Sequence, residues 1–216
     1  MDENGESFWE SCWKLEAPEE LSAYLDRYYQ FKDSIIDIFK EHHIETVCDA
    51  ACGFGAYSLA FSSNGFQVRS FDISPTAVEI TRRGLERYGI SVDVKAASIL
   101  STGYEDSTFD GVIASSVLDH LTVADAEKAL TELYRITRPG GLILVSFDTP
   151  EEADSEIEHE VLADGSLRYA DNTPRAGMLF HPYSEAEISR FLSGKSVIYA
   201  HTNQKGEQIR ILEKHL

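Results

Sequence analysis

From residue 46 to residue 147 the apolar positions alternate between two rhythms. The segments "TVCDA", "QVRSFDI", "SVDVKAAS", "FDGVIASSV" and "LILVSF" are strand-length runs of β-branched and aromatic residues, and "LILVSF" is the most apolar. Helical stretches lie between them. One covers about Tyr57 to Ser63 and stops at Gly65. The next, "SPTAVEITRRGLERYG", has Ser74 as N-cap, Pro75 in the first turn and Gly89 as the stop. In "TVADAEKALTELYRITRPGG" Thr122 and Asp125 form a capping-box pair, and Pro139 with two glycines is expected to end the helix. Such β-α alternation predicts a parallel sheet with helices on both faces.

Ahead of this region, Leu21, Tyr24, Leu25, Tyr28, Ile35 and Phe39 fall at helical spacing and predict an amphipathic helical segment. After Asp148 the rhythm changes. "EIEHEVLADGSLRYAD" predicts a hairpin turning at Asp164-Gly165, "YSEAEISRFLSG" a helix opened by a Ser184/Glu187 capping box, and "KSVIYAHTNQKGEQIRILEKHL" a last hairpin around Lys205-Gly206. The expected organisation is one domain over 1–216, with a helical cap (1–44), a cofactor-binding core (45–148), an arm or lid for substrate (149–184) and a last helix with a terminal hairpin (185–216).

Composition narrows the function. The chain has 216 residues, 43 % of them hydrophobic, enough for a continuous core. Its 19 basic and 37 acidic residues leave a formal charge of -18, which repels a phosphate backbone, so no nucleic-acid partner is expected. No apolar run reaches the ~20 residues of a bilayer span, and the start "MDENGESFWE" is acidic, so the expected location is cytoplasmic, without membrane attachment. Cys12, Cys48 and Cys52 lack CxxC spacing and read as buried free thiols, with no metal site. The partner is then a small molecule, and the chain a monomer or homodimer.

The chemistry concentrates at "VCDAACGFGAYSLAF". A strand that breaks into a glycine turn at a helix start presents backbone N–H groups to a ligand. A dinucleotide motif, G-x-G-x-x-G, would need a third glycine where Ser58 stands. Asp72 closes the second strand and suits the ribose hydroxyls of NAD or of S-adenosylmethionine. Asp49, just before the turn, favours a ligand bearing positive charge over a pyrophosphate.

With these residues in place the segment resembles the class I S-adenosylmethionine-dependent methyltransferases, in their small methyltransferase-domain branch. "DAACGFGAYS" is similar to that family's glycine turn, "VRSFDIS" to its ribose strand, "AASI" to its adenine segment, "FDGVIASSVLDHL" to its fourth strand and "LYRITRPGGLILVS" to its helix and fifth strand. The resemblance implies a Rossmann-like, doubly wound, mostly parallel seven-stranded sheet with a reversed C-terminal hairpin. It also implies S-adenosyl-L-methionine as cofactor, S-adenosyl-L-homocysteine as product, and methyl transfer to O, N or S. Carried over by position, Asp49, Ala51, Cys52, Gly53 and Gly55 surround the methionine part. Asp72 takes the ribose, Ile73, Ser98 and Ile99 the adenine, and Ser115 offers a carbonyl to the ammonium; Tyr28 is an N-terminal tyrosine of the kind that closes over the cofactor. Two positions depart from the family. Ala51 replaces a glycine, a change that should be tolerated if its φ is negative, and Ser98 replaces an aspartate.

Beyond the fourth strand His120 is the first candidate base, because imidazole titrates near neutrality, and His181 in the arm is the second. Asp119 is expected as a loop or helix-capping residue. Trp9, Trp13, Arg175, Phe180 and Tyr183 are the expected substrate contacts, supplying apolar walls and one clamp for a carboxylate. Two alternatives remain at this point, an NAD(P)-dependent oxidoreductase and a protein that binds S-adenosylmethionine without catalysis.

Overall fold

The structure, a computed structural model, describes residues 6–15, 21–28, 32–149 and 156–215. Seven helices are described: α1 (Glu6–Leu15), α2 (Leu21–Tyr28), α3 (Lys32–Glu41), α4 (Ala56–Ser63), α5 (Pro75–Glu86), α6 (Val123–Ile136) and α7 (Glu185–Phe191). The main sheet is built from β1 (Thr46–Ala50), β2 (Gln67–Asp72), β3 (Asp93–Ala96), β4 (Phe109–Ala114), β5 (Thr137–Phe147), β9 (Ser196–Thr202) and β10 (Gln208–Glu213). Tyr29 and the side chains of Tyr24 and Tyr28 lie outside the described residues, and with them the expected tyrosine cover of the cofactor.

The strand order is β3-β2-β1-β4-β5-β10-β9. β1 to β5 run parallel, and β10 is antiparallel to both β5 and β9. This is the doubly wound sheet with a reversed C-terminal hairpin. Strand periodicity divides the core into two. Leu142 and Leu144 of β5 face α2, α3 and α4, whereas Ile143, Val145 and Phe147 face α6 and α7. A central strand buried on both faces has to be apolar throughout, which is why "LILV" stands out in the sequence. On α6 the buried residues Ala126, Ala129, Leu130, Leu133 and Ile136 follow helical spacing. Each large one stabilises the layer by roughly 1.5–3 kcal/mol.

Local signals set the helix ends. Ser74 Oγ accepts from the Ala77 amide with Pro75 in the first turn, and Ser184 and Glu187 form the reciprocal capping box. Thr122 Oγ1 likewise accepts from the Asp125 amide at 3.2 Å. The stop of α6 differs from expectation. Its C-cap is Thr137, already in extended conformation, and Thr137 Oγ1 donates to the Leu133 carbonyl at 2.7 Å. Pro139 and the two glycines therefore belong to β5, because a β-branched residue with its own hydroxyl closes the last turn first.

In the arm, β6 (His159–Val161) and β7 (Leu167–Tyr169) form the expected hairpin, and β8 (Leu179–Phe180) adds a third strand that the sequence did not signal. This small sheet has its own core of Tyr169, Met178 and Phe180, with Phe8 of α1 packed against it. Among the described residues no helix is long and apolar enough to cross a membrane.

Candidate active site

In an open α/β sheet the crevice lies beyond the carboxyl ends of the strands, where the order reverses. Here that point is between β1 and β4. Two cavities open there, of about 80 and about 490 Å³, and both are lined by Trp9, Trp13, Ala51, Ser116 and His120. The smaller has Asp72, Ile73, Ser98 and Ile99 on its walls, together with Leu100, Val117 and Leu121. The larger has Asp49, Cys52, Gly53 and Ser115 on one side and Arg175 and Phe180 of the arm on the other. The glycine turn thus separates a flat apolar slot from a wider polar chamber.

The turn is held by its own acids. Asp49, 4 % exposed, accepts from the Ser58 amide at 2.8 Å and the Ser58 hydroxyl at 2.5 Å. Burial pushes its carboxyl up to about 6, with the charge of Asp72 adding to the shift. Asp72 accepts from the Gly53 amide and the Ser74 amide, both at 2.9 Å, and burial raises its pKa as well. A cation placed between the two carboxylates would relieve both. Ser58, which breaks the dinucleotide motif, is the residue that anchors Asp49.

Ala51 does not meet the condition of a negative φ. Its φ is +56°, in the left-handed region, so the turn keeps a glycine-like conformation although a methyl group is present. The Cys52 amide donates to the Phe71 carbonyl at 3.0 Å and the Gly55 amide to the Cys52 carbonyl at 2.8 Å, which fixes the backbone just after Ala51. Gly53 also has positive φ, and a β-carbon there would lie 2.8 Å from Trp13 Cη2. Only glycine lets the indole lie on the turn. Ser98 keeps its hydroxyl within its own loop, accepting from the Leu100 amide at 3.2 Å, and retains its proton for a ligand.

Helix α1 covers the crevice. Its Glu10 accepts from the Ser74 hydroxyl at 2.5 Å, the Thr76 hydroxyl at 2.6 Å and the Thr76 amide at 3.2 Å, so it binds the start of α5. These bonds hold the Glu10 carboxyl down at about 2. Trp9 meets the His120 ring edge-on at 4.8 Å and Trp13 meets Phe54 at 5.6 Å. Cys12, expected buried, is only half-buried, because it lines the larger, open cavity.

His120 Nδ1 lies 3.0 Å from the Leu179 carbonyl, which can only accept. Nδ1 is therefore the donor of this bond. Asp119 is fully buried and accepts from the Asp148 amide at 2.7 Å, so it caps the end of β5 instead of a helix. Burial pushes its carboxyl up to about 6, partly offset by His120. Asp119, His120 and Asp148 each place a polar atom within 4.8 Å of the others, and Asp119 Oδ1 is buried without a hydrogen-bond partner among the described residues.

Three expected contacts go elsewhere: Gly55 lines neither cavity and faces Thr81, where a β-carbon would lie 2.8 Å from Cγ2, and the side chains of His181 and Tyr183 leave the site. His181 lines neither cavity; its Nδ1 pairs with Ser166 Oγ at 3.1 Å, its amide donates to the Asp119 carbonyl, and burial lowers its pKa. Tyr183 packs between Phe147 and Phe191 in the core. Both follow β8, where the chain turns from the arm into the layer of α7, so their side chains enter that layer. Ser116, Asp148 and Thr149 line the chamber as residues at the ends of β4 and β5, and Phe8 and Met178 add apolar wall. The sequence reading left out Tyr57, Asn203, Lys205 and Glu207, which reach the chamber from α4 and the terminal hairpin and carry no local signal.

A crevice at the strand reversal, an apolar slot closed by an acid at the end of β2, and an acid-anchored turn with a chamber beyond it define a nucleoside-binding α/β protein. Residues 48–145 match the family described as "Methyltransferase domain", the segment in which the chain resembles the class I S-adenosylmethionine-dependent methyltransferases. A ubiquinone biosynthesis O-methyltransferase of Methylocella silvestris is 29 % identical over 156 residues, 68 % of this chain and 60 % of the relative. A demethylmenaquinone methyltransferase of Thermus thermophilus is 33 % identical over 129 residues, 58 % of each chain. The chain thus spans about three fifths of these relatives. Among solved structures, the PH0226 protein of Pyrococcus horikoshii superposes with a TM-score of 0.75 at 18 % identity, covering 88 % of this chain and 91 % of that one. Magnesium protoporphyrin IX methyltransferase from Synechocystis with bound SAH gives 0.62 at 20 %, covering 86 % and 82 %. These two share the fold.

Proposed function

We propose that the protein binds S-adenosylmethionine in the crevice and transfers its methyl group to an oxygen, nitrogen or sulfur atom of a small molecule. The observation that carries the reading is the pair Asp49 and Asp72, buried on either side of a turn whose amides they hold. That arrangement suits a cationic nucleoside and disfavours a pyrophosphate. Relatives named as methyltransferases of quinone precursors support the reaction type, and the charge of -18 argues against a nucleic-acid acceptor.

The cofactor supplies a methyl group on a positively charged sulfur, open to in-line displacement. The rest falls to the protein. Asp72 would take the ribose hydroxyls, Ile73, Ile99, Leu100 and Val117 would enclose the base, and Ser98 would donate to it. Asp49 would face the positive charge. Trp9, Trp13 and Phe180 would exclude water around the acceptor while the arm supplies its outer wall, so that alignment accounts for most of the rate.

Calorimetry with S-adenosylmethionine, S-adenosylhomocysteine and NAD tests the cofactor. Micromolar binding of the first two supports the reading; binding of NAD alone would replace it with the oxidoreductase. A screen of phenols, carboxylic acids, amines and thiols for the mass gain of one methylene tests transfer. Binding without any product across the screen would leave a non-catalytic binder.

A further inference from the structure

The reversed hairpin brings an acid to the reaction chamber. Because β10 runs antiparallel to β5, with Gln208 paired to Phe147, the residue before β10 arrives beside the residue after β5. These are Glu207 and Asp148, and both line the larger cavity. The turn that carries Glu207 is tightly built. Asn203 Oδ1 accepts from the amides of Lys205 and Glu207 at 2.9 and 3.1 Å, and Asn203 Nδ2 donates to Glu207 Oε2 at 2.7 Å. Gly206 presses on Thr149, where a β-carbon would lie 2.7 Å from Oγ1. The carboxylate is therefore held in place.

We propose that Glu207 accepts the proton of the acceptor during methyl transfer, an inference that rests on the methyltransferase reading. As the acceptor's lone pair forms the new bond to the methyl carbon, the carbon–sulfur pair returns to sulfur and cancels its charge. The O–H or N–H proton passes to the Glu207 carboxylate, and from there to water at the mouth of the hairpin.

The surroundings suit this task. Ser146, whose proximity partly offsets the rise of the Glu207 carboxyl, pairs with the Ser115 hydroxyl at 3.0 Å and accepts from the Ser116 amide at 2.9 Å; Ser116 Oγ in turn donates to Asp148 at 2.9 Å. A polar chain thus crosses the ends of β4, β5 and β10. Facing Glu207 are Asp148 beyond β5, Asp119 and His120 beyond β4, Asp49 of β1, Tyr57 of α4, Arg175 of the arm and Lys205 on its own turn. Burial, Asp148 and Asp119 push its carboxyl up to about 7, which places it where a base works best. His120, which meets Trp9 edge-on and lies within 4.8 Å of Asp148, is the competing group.

The test compares wild type, Glu207→Gln, Glu207→Asp and His120→Gln on two acceptor sets: alcohols and amines, which must lose a proton, and thiolates and carboxylates, which need not. The expected result is a fall in kcat of about 100-fold or more for Glu207→Gln on the first set only, with partial recovery in Glu207→Asp. The ascending limb of the pH profile should vanish in Glu207→Gln and persist in His120→Gln. Independently of turnover, a glutamate carboxyl ¹³C resonance titrating near pH 7 should disappear in Glu207→Gln. Equal losses on both sets, a limb that follows His120, or weaker S-adenosylhomocysteine binding with kcat unchanged would each overturn the proposal. Failure of wild type to bind the cofactor would instead remove the reading beneath it.

Discussion

Replacing Ala51 by glycine should make the protein more stable, against the usual rule that glycine costs stability. Ala51 holds φ at +56° because Ala50 before it is paired to Phe71 of β2 and the Cys52 amide after it donates to the Phe71 carbonyl, and an L-residue there is strained by about 1–2 kcal/mol. Glycine removes that strain. It also frees the unfolded chain, at a cost of about 0.4–1 kcal/mol. The net gain is roughly 0.5–1 kcal/mol, and at about 2–4 °C per kcal/mol for a chain of this size the melting point should rise by roughly 1–4 °C. Urea denaturation should show a higher midpoint with an unchanged slope. Ala51→Val serves as the opposite control, since a β-branched residue at positive φ is an outlier and should be less stable than wild type. A loss of stability in Ala51→Gly, or a gain in Ala51→Val, would refute the reasoning.

Three other outcomes are expected. The folded carboxyl of Asp49 titrates at about 6, above its unfolded value of about 3.9, so the folded state holds an extra proton and Asp49 makes apo stability fall as pH rises through that window. S-adenosylmethionine should bind more tightly across the same rise, and S-adenosylhomocysteine, without the sulfonium, less so; calorimetry at pH 5, 6 and 7 compares them, and identical pH dependence would count against Asp49 facing the charge. Glu10→Ala should free α1 from the start of α5 at a cost of about 0.5–2 kcal/mol, read as faster proteolysis within residues 6–15 while the core resists. Since Trp9 and Trp13 line a slot of only about 80 Å³, smaller than the usual ligand pocket, cofactor binding should move α1 and change tryptophan fluorescence; an unchanged spectrum at saturation would show that α1 stays put.

The sequence by itself determined the sheet and half of the crevice. Strand runs, caps and the "DAACGFG" turn are local features, set by side-chain period and by neighbours a few residues away. Asp49 and Asp72 were legible because strand ends in a parallel sheet share one edge. What only the tertiary structure decided depends on contacts distant in the chain. The backbone angle of Ala51 is imposed by β2. Trp13 reaches Gly53 across some forty residues, His181 and Tyr183 are drawn into the layer of α7, and Glu207 meets Asp148 because β10 is reversed. Local pattern says which face a residue takes; strand order and direction say what it meets there.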